Sequence, residues 1–148
     1  MKKILLLLVF IFNFDLVRAQ IVSDYFTIDS ATQQGWAAGV EGGGSGINYH
    51  VNITMKKNVT IEFDSMWVGT YGVKLSIANN IVSFHKGSIV CLYAGQFFPY
   101  QIIYDEPGLP VVVPIKHEGV ALIRYKIDGK IYYSEIATLK QLEFLAYP

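Results

Sequence analysis

An antiparallel β-sandwich is the fold this sequence predicts, with a β-barrel as the alternative, and three observations lead to it. Short segments in which apolar and polar residues alternate recur along the chain between turn residues, and about eight or nine of them read as strands. No segment carries the sustained 3.6-residue period of a long helix. Two hairpin signals stand out, one at Lys56-Lys57-Asn58 and one at Asp128-Gly129. Many short strands with regular turns belong to two-sheet sandwiches or closed barrels.

Residues 1–19 read as an export leader. Lys2 and Lys3 form a positive start, Ile4 to Phe12 is an unbroken apolar run, and Val17 and Ala19 supply the small residues of a cleavage site before Gln20. Asn13 and Asp15 interrupt the run well short of the roughly 20 residues a spanning helix needs. The expected product is a soluble periplasmic or extracellular chain with no further membrane-spanning segment. Gln20 to Pro148 then forms a single domain of 129 residues, a length that suits one core.

Removing Lys2, Lys3, Arg18 and Asp15 from the 12 basic and 12 acidic residues leaves 9 and 11, with no run of one sign. A nucleic-acid partner needs a clustered basic face, so that class is excluded. Cys91 is the one cysteine, which rules out an intramolecular disulfide despite the oxidising compartment. Nothing beside it would lower its pKa, and it reads as a small buried hydrophobe.

The elements follow in order. Ile21 to Ile28 reads as a first strand, and the small polar stretch Ser30 to Gln34 as a loop or a single helical turn. Gly39, Gly42, Gly43, Gly44 and Gly46 form a connection in GWAAGVEGGGSG, with Trp36 pinning one end to the core. The run lacks the Lys-Ser or Lys-Thr and the following helix of a phosphate-cradling loop.

The best-specified piece is Ile47 to Asp64. Tyr49, Val51, Ile53, Met55, Val59, Ile61 and Phe63 alternate with polar residues on either side of Lys56-Lys57-Asn58. A hairpin with Met55 opposite Val59 keeps them on one face and pairs Ile53 with Ile61, Val51 with Phe63, Asn52 with Glu62 and His50 with Asp64. Ser65 to Val68 extends its second arm, and Val73, Leu75 and Ile77 mark a further strand ending at Asn79-Asn80. Ile81 to Phe84 continues it after a bulge. Ser88 to Tyr93 is almost wholly apolar and reads as a strand covered on both faces.

Glu106-Pro107-Gly108 has the chemistry of a type II turn, and Pro110 to Ile115 reads as an edge strand. Val120 to Ile136 is a hairpin whose inner face is Ile123, Tyr125, Ile127, Tyr132 and Ile136. Its outer face sets Arg124 opposite Tyr133 and diagonal to Glu135, a group that can pair in water. Leu139, Leu142 and Leu145 fit a short helix, and a final strand through Leu142 and Phe144 fits nearly as well.

Catalytic signatures are missing. There is no G-x-S-x-G, no H-E-x-x-H and no metal-spaced cysteine pair, and no cofactor motif appears. His50, His85 and His117 lie in separate segments. Two groups of residues carry the functional expectations. Tyr93, Phe97, Phe98, Tyr100 and Tyr104 concentrate planar rings that can stack on sugars or anchor a protein partner. His50, Glu62 and Asp64, brought together by the proposed hairpin register, form a candidate weak metal site on a polar strip. The expected function is therefore a non-catalytic binding or interaction module for a glycan or protein. A structural envelope subunit and a secreted hydrolase are the alternatives, and the oligomeric state is open.

The leader ending VRAQ, Trp36 ahead of GGGSG and the DGKIYY hairpin together resemble small uncharacterised secreted proteins of Gram-negative bacteria. That resemblance implies export and a β-rich domain.

Overall fold

The computed structural model describes residues 21–77, 83–98 and 112–148. Twelve strands run through them: β1 Phe26–Ala38, β2 Ser45–Met55, β3 Val59–Thr60, β4 Glu62–Val68, β5 Tyr71–Lys74, β6 Ser76–Ile77, β7 Ser83–Phe84, β8 Ile89–Phe98, β9 Ala121–Ile127, β10 Lys130–Ile136, β11 Lys140–Gln141 and β12 Leu145–Tyr147. The larger sheet has the order β11-β1-β2-β8-β6, with β12 also on β1. The second sheet is β10-β9-β4-β5, and β3-β7 forms a small third pair. Among the described residues this is an all-β, sandwich-like architecture of mainly antiparallel sheets without a closed barrel. Among the described residues no helix is long and apolar enough to cross a membrane.

Inward-facing residues match the alternation in the sequence. Tyr49, Val51, Ile53, Met55, Ile61 and Phe63 are all buried, and Val59 packs against the same core. Their pairing differs from the expected hairpin. Both edges of β2 are occupied, with Val51 opposite Ala31 of β1 and Leu92 of β8. The chain after Met55 therefore leaves the larger sheet, and β4 pairs with β5 and β9 in the second.

Lys56-Lys57-Asn58 is thus a crossing between sheets. Lys56 donates its backbone N–H to the Tyr25 carbonyl at 2.8 Å and its ammonium to the Ser23 carbonyl at 2.9 Å. The Asn58 side-chain oxygen accepts the Lys86 N–H at 2.7 Å. A second crossing occurs at Leu75, whose N–H reaches the Asp64 carbonyl at 3.0 Å. There the strand expected over Val73 to Ile77 divides into β5 of the second sheet and β6 of the larger one.

The Asp128-Gly129 hairpin forms as expected. Lys130 pairs with Ile127 and Tyr133 with Arg124, and both turn residues have positive φ, 49° and 75°, as a type I′ turn demands. Its inner residues Ile123, Tyr125, Ile127 and Ile136 are buried, and Tyr132 packs against them.

Several segments depart from expectation. Ser30 to Gln34 belongs to β1, because its small polar residues alternate between outer and inner faces of a strand after a bulge at Ile28/Ser30. β8 is not covered on both faces: Val90, Leu92 and Ala94 are buried, while Ile89 and Tyr93 are exposed and Cys91 is half-buried. Val112 to Ile115 forms no strand. The tail forms β11 and β12, parallel to β1, in place of the short helix, and the alternative strand through Leu142 and Phe144 does not form because those residues lie between the two. Residues 1–20, Asn79-Asn80, Ile81 and the Glu106-Pro107-Gly108 turn lie outside the described residues.

The core centre is aromatic. Phe26 meets Tyr125 at 5.1 Å and Phe63 at 5.4 Å, edge to face in both cases. The buried Tyr125 hydroxyl bonds to the equally buried Ser23 hydroxyl at 2.9 Å, which also accepts the Tyr25 N–H at 3.1 Å. Removing one member strands the other in the core. Ser23→Ala is expected to cost about 1–3 kcal/mol in chemical denaturation. Adding Tyr125→Phe, which removes the stranded hydroxyl, is expected to recover part of that loss.

Candidate functional site

Outward-facing residues of β1, β2 and β8 line up in rows because the three strands stay in register over much of their length. One row runs Trp36, Gly46, Phe97. The next is Gln34, Asn48, Gly95, then Thr32, His50, Tyr93, and finally Ser30, Asn52, Cys91. No Asp, Glu, Lys or Arg occurs among these residues. Asp29, in the adjacent bulge, is engaged by the Thr54 hydroxyl at 2.6 Å and the Thr27 hydroxyl at 3.3 Å.

Gly46 explains the first row. A Cβ there would meet the Gln96 carbonyl and would lie 2.6 Å from Trp36 Nε1 and 2.7 Å from Cε2. The indole therefore lies across the glycine, in space any larger residue would fill. Phe97 stands beside it with ring centroids 6.0 Å apart and planes within 26°, and Tyr147 of β12 meets the indole edge-on at 6.2 Å. Phe97 is 60% and Tyr147 49% exposed. Three large rings thus share one end of an open face whose β1, β2 and β8 residues carry no charge, with Lys140 of β11 flanking it beside Thr32.

Polar groups continue from the rings along the strands. The Gln34 amide donates to the Glu143 carbonyl at 2.8 Å, and the Asn52 amide to Ser30 at 2.9 Å. Asn48, between them, has no such partner among the described residues. His50 meets the Tyr93 ring edge-on at 4.8 Å. The Cys91 side chain beside it raises the Tyr93 phenol above its ordinary range, and a phenol can both donate and accept.

The residues singled out from sequence fall into three sets. Tyr93 and Phe97 share this face, with Gly95 between them. Phe98 has the opposite parity and is 41% exposed at the end of the sheet, so Phe97 and Phe98 do not present adjacent rings to one ligand. Tyr100 and Tyr104 lie outside the described residues.

The register that would join His50, Glu62 and Asp64 does not form. His50 pairs with Thr32 and Tyr93 on the larger sheet, whereas Glu62 and Asp64 sit on the second sheet with cations. Lys126 lies 3.1 Å from Glu62 and 3.4 Å from Asp64, and Arg124 Nε donates to Asp64 at 2.7 Å. Among the described residues no group of three or more His, Cys, Asp or Glu side chains is placed to hold a metal.

Trp36 and Tyr147 are the rings that sequence reasoning missed as site residues. Trp36 lies on the outer face, not against the core, and its position in β1 opposite a strand glycine is the signal that would have found it. Glu135 also departs from expectation. It is 7% exposed and accepts the Glu118 N–H at 3.0 Å, while Arg124 turns to Asp64.

Burial pushes the Asp64 carboxyl up, but hydrogen bonding and charge from Arg124, with help from Ser65 and Lys126, outweigh it and hold the group below its usual range. The unfolded chain then binds the extra proton as pH drops, so this contribution is complete above the unfolded value of about 3.9 and is lost as pH falls through the lower folded value. Wild type is expected to exceed Asp64→Asn by about 1 kcal/mol near neutral pH, a margin that shrinks in acid below about pH 4. Denaturant titrations at several pH values check both the margin and its direction.

No protein-family model, no curated protein and no solved structure matches the chain, so its functional reading rests on this geometry.

Proposed function

We propose that the protein is an exported, non-catalytic binding module that holds a neutral glycan along the outer face of its larger sheet. The observation that carries the reading is a face, free of charge across β1, β2 and β8 and flanked by Lys140 on β11, on which Trp36, Phe97 and Tyr147 stand at one end of a strip of amide, hydroxyl and imidazole groups. Sugar rings present apolar faces and a rim of hydroxyls. Aromatic side chains match the first, and Asn, Gln, Thr, His and Tyr can donate to or accept from the second. Gly46 to Thr54 spans about 27 Å of extended strand, room for several sugar units.

Export rests on the leader pattern of residues 1–19, with a periplasmic or extracellular destination. The non-catalytic role rests on the sequence, which carries no G-x-S-x-G, no H-E-x-x-H and no metal-spaced cysteine pair. A protein partner is the second reading, favoured by exposed Val40, Phe98 and Phe144 near the same end of the sheet.

Probing a glycan array with the chain from Gln20 onward, alongside a pull-down from envelope extract, separates the two. Retention of uncharged saccharides supports the first reading. Capture of envelope proteins with no saccharide retained overturns it in favour of the second.

A further inference from the structure

The outer face of the second sheet is built on a different chemistry. Its strands set Lys74, Ser65, Arg124 and Tyr133 in one row, and Gly72, Trp67, Leu122 and Glu135 in the next. A cleft of ≈ 540 Å³ opens between β5 and β9, with Trp67, Arg124, Lys74, Ser65, Asp64 and Gly72 in its lining. The Arg124 guanidinium lies over the Trp67 ring, 5.3 Å from its centroid.

The cleft has donors to spare and a committed acceptor. Arg124 spends Nε on Asp64 at 2.7 Å and one Nη2 proton on Ser65 at 3.3 Å, two of the five N–H groups a guanidinium carries. Asp64 is already shared between Arg124 and Lys126. Lys74 forms no ion pair among the described residues.

Trp67 supplies an independent observation. The residue is 5% exposed, and its indole N–H is the one buried side-chain polar group among the described residues without a hydrogen-bond partner. Such groups are costly to leave unmade and call for an explanation. Gly72, opposite Trp67 on β5, carries no side chain, and Trp67 is part of the cleft lining with its Nε1 buried, so an occupant reaches the N–H only with a shift of the ring.

We propose that this cleft binds an oxyanion, a carboxylate or phosphoryl group, between the Trp67 indole N–H, the Arg124 guanidinium and the Lys74 ammonium. A neutral ligand would leave Lys74 without an anionic acceptor and the remaining Arg124 N–H groups unused, and a cation would meet both as like charges. The site is independent of the glycan face, since it lies on the other sheet and uses none of the same residues.

Tryptophan occurs twice in the chain, so Trp36→Phe leaves Trp67 as the one reporter. Inorganic phosphate and glucuronate are each titrated into that variant at constant ionic strength, following tryptophan fluorescence and the indole N–H resonance, with chloride as control. The expected result is a saturable fluorescence change and a moved indole proton. Arg124→Gln should weaken binding about tenfold and Lys74→Gln about threefold. Lys74 is exposed on an edge strand, so its variant decides the matter if Arg124→Gln does not fold. Response to phosphate alone assigns a phosphoryl group, response to glucuronate alone a carboxylate, and response to both the shared oxyanion chemistry. The proposal is overturned if neither anion gives a saturable change, if the indole proton stays fixed, or if Lys74→Gln binds as tightly as its parent.

Discussion

Val51→Asp is expected to leave the chain without a cooperative unfolding transition at room temperature. Val51 has no exposed surface, its strand is paired on both sides, and its side chain faces the sandwich core. A carboxylate there would be buried without a partner, at a cost of several kcal/mol against a total stability of roughly 5–15 kcal/mol. Ile61→Asp should do the same from the far side of the crossing, since Ile61 is equally buried. Asn52→Asp places the same charge one residue away on the outer face and should cost less than about 1 kcal/mol. Thermal melts that reversed this ranking would contradict the assignment of faces.

Trp36→Ala is expected to weaken glycan retention at least about tenfold while moving the melting temperature by a few degrees at most. The indole is the central ring of the platform, touching Phe97 on one side and Tyr147 on the other, yet it lies outside the core. Its removal deletes a stacking surface and uncovers Gly46, while the buried aromatic cluster of Phe26, Phe63 and Tyr125 is untouched. Affinity electrophoresis in gels containing the retained polysaccharide, with a parallel melt, separates lost binding from lost folding. A large fall in stability with affinity preserved would instead make Trp36 a structural residue.

The faces of the strands were legible and their partners were not. Alternation around Lys56-Lys57-Asn58 puts Val51, Ile53, Ile61 and Phe63 inward, and the structure agrees. The same parity serves a hairpin within one sheet and a crossing between two facing sheets. What decides between them is whether the edges of β2 are free, and β1 and β8 take both. Asp128-Gly129 could be read because a two-residue turn carries its own local chemistry, φ > 0 at both positions.

The site was half legible for a related reason. Tyr93 and Phe97 were visible as part of an aromatic-dense stretch. Trp36 was hidden by the glycines after it, which read as one long connection although Gly46 is a strand residue beneath the indole. The metal grouping of His50, Glu62 and Asp64 depended on the hairpin register and disappears with it.

The central claim is that the uncharged outer face of β1, β2 and β8 is the binding surface. Mapping backbone amide shifts of the isotope-labelled chain from Gln20 onward during titration with the saccharide selected on the array tests it most directly. The account predicts that the largest shifts cluster at Trp36, Gly46, Asn48, His50, Gly95 and Phe97, following the rows across the three strands. Shifts centred on β4, β5 and β9, with that face unchanged, would contradict it.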